Sequence, residues 1–158
     1  MKLTTGVLWY YFADKSDILK AALLKALDPW RLSVEAALEQ ADPWAALVGM
    51  FITEGDGPES QFNQAWPNVV SEIRQEPELW AIYRREYGEF RDGLARLIAK
   101  CQATGQIYPR CNAGLEADRL CAVFDGVLIA TFGEPERVTP DHARAIMACH
   151  LEHLRGLK

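Results

Sequence analysis

The sequence predicts an all-α protein, and three observations lead to that prediction. Apolar side chains recur every three or four residues through most of the chain, which is the period of one helix face. No segment alternates apolar and polar residues between turn signals, as a half-buried β-strand would. Glycine and proline clusters at 55–58 and 133–135 separate the periodic stretches. At 158 residues the chain can bury a sizeable core.

The first long helix is predicted over residues 18–38. Its apolar stripe consists of Leu19, Leu23, Leu27, Trp30, Val34 and Leu38. Pro29 lies inside this stripe, and a proline removes one helical hydrogen bond and clashes with the preceding turn. The pattern therefore fits one helix kinked at Pro29 or two nearly collinear helices.

Two shorter helices are predicted next. Asp42 and Pro43 form a start signal, since aspartate caps a helix and proline suits its first position. This helix ends before the loop at 55–58, and Ser60 caps another that carries Trp66 and Ile73. Pro67 would kink that helix unless it stands in the first turns.

Three helices complete the chain. The longest runs from Pro77 to about Thr104 and ends at Gly105, and a helix of this length spans roughly 40 Å. The segment 115–132 is apolar nearly all round, so we expect it to be buried on every side. Thr139 and Pro140 begin the last helix, which continues to about residue 155.

Composition and charge narrow the class of protein. The net charge of −5 argues against a chain that binds nucleic acid with its whole surface. No apolar run reaches the roughly 20 residues of a membrane span, and no secretory signal is visible, so we expect a cytoplasmic protein without membrane contact. The four cysteines show no C-x-x-C spacing, and Cys101 and Cys121 stand on apolar helix faces, so no disulfide framework is expected.

Residues 4–19 combine a short helix rich in aromatic residues with the start of the long helix, capped by Asp14 or Ser16. The positions of Gly6, Leu8, Tyr11, Phe12 and Lys15 fit the pattern Ser/Thr-x-Gly-x-Leu-Tyr-x-His/Tyr-Phe-x-x-Lys-x-x-Leu, with Trp9 in place of the usual tyrosine and Leu19 one residue after the position of the final leucine. This run resembles the end of the DNA-binding domain of TetR-family transcriptional regulators.

The resemblance implies a helix-turn-helix head of which residues 1–40 hold the recognition helix and the linker helix. It implies that the DNA-facing residues are Thr4, Thr5, Gly6, Tyr10, Tyr11 and Lys15. The two helices that precede the recognition helix in that family are not among these residues. We therefore expect this chain by itself to bind operator DNA weakly.

The remainder, residues 41–158, also resembles that family. Trp66, the segment 76–79, the segment 103–107, the segment 124–127 and the Thr139–Pro140 start follow one another as in the C-terminal domain of the choline-responsive, BetI-like branch. This likeness implies a ligand-binding and dimerisation domain, and it favours quaternary ammonium compounds as ligands.

The residues themselves suggest a pocket between the central helices. An aromatic stripe is either plain core or the wall of a cavity, and the candidates for ligand contact are Phe51, Phe62, Trp66, Tyr83, Tyr87, Phe124 and Asp125. Asp125 can equally hydrogen-bond a neighbouring helix, because a buried carboxylate needs a partner. We expect a mostly apolar pocket of roughly 300–1,000 Å³ for a hydrophobic or cationic effector, with Glu72 and Asp125 as the nearest acids.

A homodimer is expected through helices 115–132 and 140–155, because they carry more apolar surface than one core needs. Ile146 and Leu154 are predicted to contact the partner. Cys149, His150 and His153 make only a weak metal site, so no metal or cofactor is expected.

Three functions remain to be compared. The favoured hypothesis is a ligand-responsive transcriptional repressor of the TetR type, in which a bound effector changes the angle of the helix at 18–38. The alternative is a stand-alone dimeric protein that binds small molecules and has lost DNA binding. A small helical enzyme is the least supported, because no G-x-S-x-G, glycine-rich phosphate loop or H-E-x-x-H is present and no catalytic residue is assigned.

Overall fold

The structure, a computed structural model, describes residues 10–52 and 61–156, without the side chains of residues 61–65 and 67. Within these residues six α-helices follow Asp14 and no β-strand occurs, which confirms the all-α prediction. The helices are α1 (Lys15–Glu39), α2 (Pro43–Phe51), α3 (Gln61–Ile73), α4 (Pro77–Ala103), α5 (Ala113–Gly133) and α6 (Pro140–Gly156).

Local capping chemistry sets several of the helix ends. Asp14 caps α1 by accepting from the backbone N–H of Asp17 at 2.9 Å, so Asp14 rather than Ser16 is the cap. Asp42 accepts from two backbone N–H groups at the start of α2, as its sequence predicts. Gly105, which follows the end of α4, has a φ of 73°, a left-handed conformation that favours glycine.

The long helix predicted at 18–38 is a single helix. α1 continues through Pro29, which lies in its interior and cannot donate a backbone hydrogen bond. α3 likewise continues past Pro67. Of the two possibilities that the sequence leaves open, the structure therefore selects one continuous α1.

α4 is the central helix. It packs along α1 and α5 and also contacts α2 and α3, while α6 packs on α5 and α2. The described apolar side chains form two clusters. The large cluster joins the C-terminal half of α1 to α2, α4, α5 and α6. The small cluster consists of Leu23, Ala26, Leu27, Trp66, Ile73, Leu79 and Leu128. α1 contributes to both, with Pro29 between its two contributions.

The C-terminal half of α1 is fixed to α4 at two points. Val34 packs directly on Gly93, which has no Cβ and so lets the two helices approach closely. The Nζ of Lys100 donates hydrogen bonds of 2.8 Å to the carbonyl oxygens of Leu38 and Gln40. These carbonyls would otherwise be unsatisfied at the helix end.

The N-terminal end of α1 is joined to the turn between α3 and α4 by polar contacts at the surface. Lys15 pairs with Glu72 at 2.5 Å, and Lys20 pairs with Glu78 at 3.2 Å. The hydroxyl of Ser16 donates to Glu76 at 3.1 Å. Because exposed ion pairs contribute only about 0–1 kcal/mol each, this end is held less firmly than the C-terminal half.

α5 is buried on one side only, so the expectation that it is buried all round is wrong for the single chain. Leu120 and Leu128 face the core, whereas Leu115 and Ile129 are 63% and 60% exposed. The choice of Leu154 as a partner contact is also wrong, because it is fully buried within its own chain, and Ile146 packs partly against the large cluster.

No helix in the described part of the chain is long and apolar enough to cross a membrane. Cys101 and Cys121 are buried as free cysteines among apolar side chains, in agreement with their positions on the apolar faces of α4 and α5.

Candidate functional site: an aromatic cavity

A cavity of about 50 Å³ lies where α1, α2, α4 and α5 meet. We call it the aromatic cavity. Each helix contributes two of the side chains that line it, namely Trp30, Ser33, Met50, Phe51, Tyr87, Phe90, Cys121 and Phe124. None of these side chains carries a formal charge at neutral pH, so the lining residues offer ring faces, a thioether, a thiol and two hydroxyls.

Trp30 is the central ring of this site. Its centroid lies 5.3 Å from that of Phe90, 5.8 Å from Phe124, 6.2 Å from Tyr87 and 6.3 Å from Trp66. These separations are in the range of favourable aromatic pairs. The indole of Trp30 thus connects α1 to α3, α4 and α5 at one point.

α4 presents a row of stacked rings beside the cavity. Trp80 and Tyr83 stack with centroids 5.1 Å apart, Tyr83 and Tyr87 at 5.4 Å, and Tyr87 and Phe90 at 6.1 Å. The spacing of three and four residues places these side chains on one face of the helix. Trp66 of α3 contacts this row through Tyr83, at 6.2 Å.

Asp125 faces Tyr87 rather than the cavity. The hydroxyl of Tyr87 donates a hydrogen bond of 2.9 Å to Oδ2 of Asp125. Burial raises the pKa of Asp125, while this hydrogen bond and the nearby charge of Arg91 oppose the rise. Burial also raises the pKa of Tyr87, so Tyr87 stays protonated and remains the donor.

Two other polar side chains near the cavity, Arg91 and Ser33, already have a partner, although Nε of Arg91 has no hydrogen bond within the described part of the chain. Arg91 pairs with Asp118 at 2.5 Å, and its guanidinium carbon lies 5.8 Å from the centre of the Tyr87 ring. The hydroxyl of Ser33 donates to the carbonyl oxygen of Trp30 at 2.8 Å. Burial raises the pKa of Cys121 to about 11, so the cavity contains a neutral thiol rather than a thiolate.

The residues predicted for ligand contact fall into three groups. Phe51, Tyr87 and Phe124 line the aromatic cavity. Trp66 and Tyr83 do not line the cavity, but each contacts a ring that does, Trp30 and Tyr87 respectively. Asp125 lies behind Tyr87. The side chain of Phe62 lies outside the described residues.

At about 50 Å³ the aromatic cavity is smaller than the pocket of roughly 300–1,000 Å³ that the sequence predicts. That pocket includes Phe62, whose side chain lies outside the described residues, so its size stays a prediction. The choice of Glu72 as a nearby acid is wrong. Glu72 is not near the rings but exposed, where it pairs with Lys15. Sequence reasoning also missed Trp30, Ser33, Met50, Phe90 and Cys121. One feature of the sequence could have pointed to these lining residues, because Trp30 is a large aromatic residue directly after a proline inside a helix.

The predicted DNA-facing residues are only partly within the described part. Thr4, Thr5 and Gly6 lie outside it. Tyr10 and Tyr11 are 83% and 73% exposed, and their rings meet edge to face at 5.1 Å. The hydrogen bond and ion pair with Glu72 raise the pKa of Lys15, which keeps its ammonium charged.

Comparison with a solved structure shows that this arrangement of helices is the fold of TetR-family transcriptional regulators. The TetR family regulator PfmR from Thermus thermophilus superposes with a TM-score of 0.70 over 99% of this chain and 84% of that one, at 20% sequence identity. At this identity the likeness shows the fold alone.

Sequence comparison gives the more specific assignment. Residues 44–156 match the family described as BetI-type transcriptional repressor, C-terminal, and the chain belongs to that family. Among similar curated proteins are the HTH-type transcriptional regulators BetI of Yersinia pestis (strain Pestoides F) and Yersinia pseudotuberculosis (serotype O:1b, strain IP 31758). Each is 24% identical over 163 residues, which cover 99% of this chain and 78% of the relative.

Proposed function

We propose that this chain is a ligand-responsive transcriptional repressor whose effector binds at the aromatic cavity. The observation that supports this most is the position of Trp30 and Ser33 in the cavity wall. Both belong to α1, the helix that directly follows the segment resembling a recognition helix. An effector at this place therefore touches the element that connects to the DNA-binding head.

The wall chemistry supports a hydrophobic or cationic effector. Ring faces carry partial negative charge and attract cations, at about 0.5–2 kcal/mol per contact when desolvated. Asp125 lies behind Tyr87 and does not line the cavity, so its carboxylate can act on a cation only across the Tyr87 side chain. An anion would meet neither a positive side chain nor a helix N-terminus among the lining residues.

Binding requires the rings to move, because an effector of ordinary size exceeds about 50 Å³. Met50 is flexible and can change rotamer at low cost. Trp30 is only half-buried, so its indole can swing away from Phe124 and Phe90. The effector would enlarge a small existing cavity instead of filling a large one.

The partners that we propose, a second copy of the chain and operator DNA, follow from the family to which the chain belongs. A second copy of the chain packs against the exposed faces of α5 and α6. On α5, the apolar part of this face consists of Leu115, Ala122 and Ile129. Operator DNA is contacted by the head, with Tyr10, Tyr11 and Lys15 on its DNA-facing side. The protein acts in the cytoplasm, with residues 1–40 belonging to the head and residues 41–158 forming the body that binds effector and partner.

A titration with three compounds of one shape and different charge tests this proposal. Tetramethylammonium, neopentyl alcohol and pivalate are added to the wild-type chain while its tryptophan fluorescence and binding heat are recorded. We expect saturable binding of the cation and the alcohol only. Phe124→Leu should weaken binding about tenfold, a loss equal to about one aromatic contact.

The matched control is Phe132→Leu, because Phe132 is also a partly buried phenylalanine of α5 but packs on the small cluster. This variant should bind like wild type. Binding of pivalate alone, or equal affinities for wild type and Phe124→Leu, would refute the proposed site.

A stand-alone binding protein that has lost DNA binding is the second candidate. The pairing of Lys15 with Glu72 favours it, since this ammonium is engaged within the chain. Fluorescence anisotropy with the DNA upstream of its own gene separates the two candidates, because only the repressor should bind this DNA. A protein that binds the small molecule and ignores this DNA would support the second candidate.

A further inference from the structure

We infer that the aromatic cavity binds one soft, monovalent metal ion, Cu(I) or Ag(I), with Cys121 and Met50 as its sulfur ligands. This inference rests on the proposed function for the location of the site. It deepens that function, because it names a narrower class of cationic guest and the two side chains that hold it.

Two sulfur-containing side chains line the same small space. Cys121 of α5 supplies a thiol, and Met50 of α2 supplies a thioether. Phe51, next to Met50, holds α2 against α5 here through its ring contact with Phe124 at 5.5 Å. The described lining residues include no histidine and no carboxylate. Thiolate and thioether ligands select Cu(I) and similar soft ions, whereas hard cations need oxygen ligands.

The charge of the site selects a monovalent ion. When the metal binds, the S–H bond of Cys121 breaks, the proton leaves to water and a sulfur–metal bond forms. The resulting thiolate carries one negative charge, which a monovalent ion neutralises completely. A divalent ion would leave a net positive charge among apolar side chains, where an uncompensated charge is costly.

The surroundings keep the thiol of Cys121 neutral until a metal arrives. Burial raises the pKa of Cys121 to about 11, although a hydrogen bond from Tyr87 lowers it. The charges of Asp125 and Arg91 act on this pKa in opposite directions. A coordinating metal removes the thiol proton outright, whereas a reagent that needs a free thiolate finds almost none at neutral pH. The cavity is therefore better suited to a metal ion than to covalent modification.

The size of the cavity fits an ion without any rearrangement of the rings. At about 50 Å³ it is much smaller than the pockets that hold organic ligands. A bare Cu(I) or Ag(I) ion is smaller than a water molecule, whose share of the liquid is about 30 Å³. Met50 is flexible enough to turn its thioether towards the ion. The ring faces of Trp30 and Phe124 add a favourable environment for a cation.

Titration of the full chain with silver nitrate in a chloride-free buffer tests this inference. Ag(I) is stable in air and quenches an indole that it contacts, so tryptophan fluorescence is the measurement. The double variant Cys111→Ser, Cys149→Ser serves as the background, because these two free cysteines are not fully buried and would also bind silver. We expect saturable quenching at one equivalent, since Trp30 lines the cavity.

Two substitutions in this background remove the ligands one at a time. Cys121→Ser should abolish the saturable quenching, and Met50→Leu should weaken Ag(I) binding about tenfold or more. Met147→Leu is the matched control, because Met147 is a buried methionine of α6 that does not line the cavity, and it should bind silver like the background.

Met50→Leu alone decides the test if Cys121→Ser fails to fold, since leucine and methionine have similar volumes. Quenching that persists in Cys121→Ser, or equal affinities of Met50→Leu and the background, would overturn the inference. Zn(II) should not displace Ag(I), because zinc requires three or four protein ligands. Displacement by Zn(II) would overturn the choice of a monovalent ion.

A last comparison separates this inference from the proposed function. If Ag(I) binding depends on Cys121 and Met50 while none of tetramethylammonium, neopentyl alcohol and pivalate binds, the metal site stands and the organic effector site is wrong. If tetramethylammonium or the alcohol binds and Ag(I) does not, the metal site is wrong and the effector site stands. Displacement of tetramethylammonium by Ag(I) would support both.

Discussion

The side chain of Val34 occupies the space that a Cβ on Gly93 would need. This contact sets how closely α1 can approach α4. A longer side chain at Gly93 would collide with Val34, and the stiff, β-branched valine cannot rotate away from it. The ring contacts of Trp30, one helical turn before Val34, depend on the same short approach.

Gly93→Ala should therefore destabilise the protein, although alanine is the better helix former. The added methyl group forces α1 away from α4, and overpacking of this kind costs about 1–3 kcal/mol. Gly88→Ala, in the same helix, has open space around its Cβ and should be neutral or stabilise by up to about 1 kcal/mol. Urea denaturation of both variants checks this, and equal effects at the two positions would contradict it.

His150 should make the protein sensitive to mild acid. Burial and the nearby Arg119 lower the pKa of His150 below its ordinary value of 6.5, against the opposing charge of Glu116, while His153 adds to the lowering. The unfolded chain therefore takes up a proton at a higher pH than the folded chain. Stability is fully present above about pH 6.5 and is lost as the pH falls towards the lowered pKa.

The measurement is the melting temperature of wild type and His150→Gln from neutral to mildly acidic pH. The variant should lose this part of the acid dependence. His142→Gln is the control, because His142 is an exposed histidine of the same helix and is not among the groups that shift the pKa of His150. An unchanged pH profile in His150→Gln would show that the histidine does not carry the effect.

Asp125 should give the stability of the protein the opposite dependence on pH. Since burial raises its pKa above 3.8, the folded chain holds this proton to a higher pH than the unfolded chain. Stability therefore falls as the pH rises from about 3.8 to the raised pKa and is constant above it. Asp125→Asn should remove this fall, so its melting temperature gains on wild type across that window.

Tyr87→Phe provides the counterpart to Asp125→Asn. The hydrogen bond from Tyr87 lowers the pKa of Asp125, so its removal should extend the fall in stability to higher pH. Melting curves of wild type and both variants in a series of buffers test the pair. A Tyr87→Phe profile that parallels wild type would contradict the assigned role of the hydrogen bond.

The proposed dimer can be tested at Ile129, which is 60% exposed. Ile129→Asp should give a folded monomer in sedimentation, because it places a charge in the apolar face of α5. Leu32→Asp is the matched control: Leu32 is 55% exposed on α1, and its replacement should leave both fold and dimer intact. Leu154→Asp should instead unfold the chain, since Leu154 is completely buried. A dimer that persists in Ile129→Asp would exclude this interface.

The helices could be predicted from the sequence because their signals are local. Asp42 before Pro43, and Gly105 after the long helix, act on groups within one turn, so no knowledge of the fold is needed to interpret them. The choice between one helix and two at Pro29 could not be settled in this way. It depends on how the apolar clusters on both sides of the proline pack against α1 and keep it one continuous helix.

The candidate site could be predicted only in part, because its geometry depends on how helices cross. Phe51, Tyr87 and Phe124 could be predicted as lining residues, because they are aromatic residues in apolar stripes. Trp30 reaches them only because Val34 and Gly93 bring α1 against α4. Asp125 follows Phe124 directly, and one residue turns a helix by about 100°, so the carboxylate faces Tyr87 while the ring faces the cavity.

The ring network also makes the protein a natural optical reporter. Trp30, Trp66 and Trp80 are linked through Tyr83 and Tyr87 by centroid separations of 5.1 to 6.3 Å, close enough for excitation to pass from tyrosine to tryptophan. Light absorbed by Tyr83 or Tyr87 is therefore passed to the indoles of Trp30, Trp66 and Trp80. A disturbance of the contact between Trp30 and Trp66 thus registers in the intrinsic emission without any attached dye.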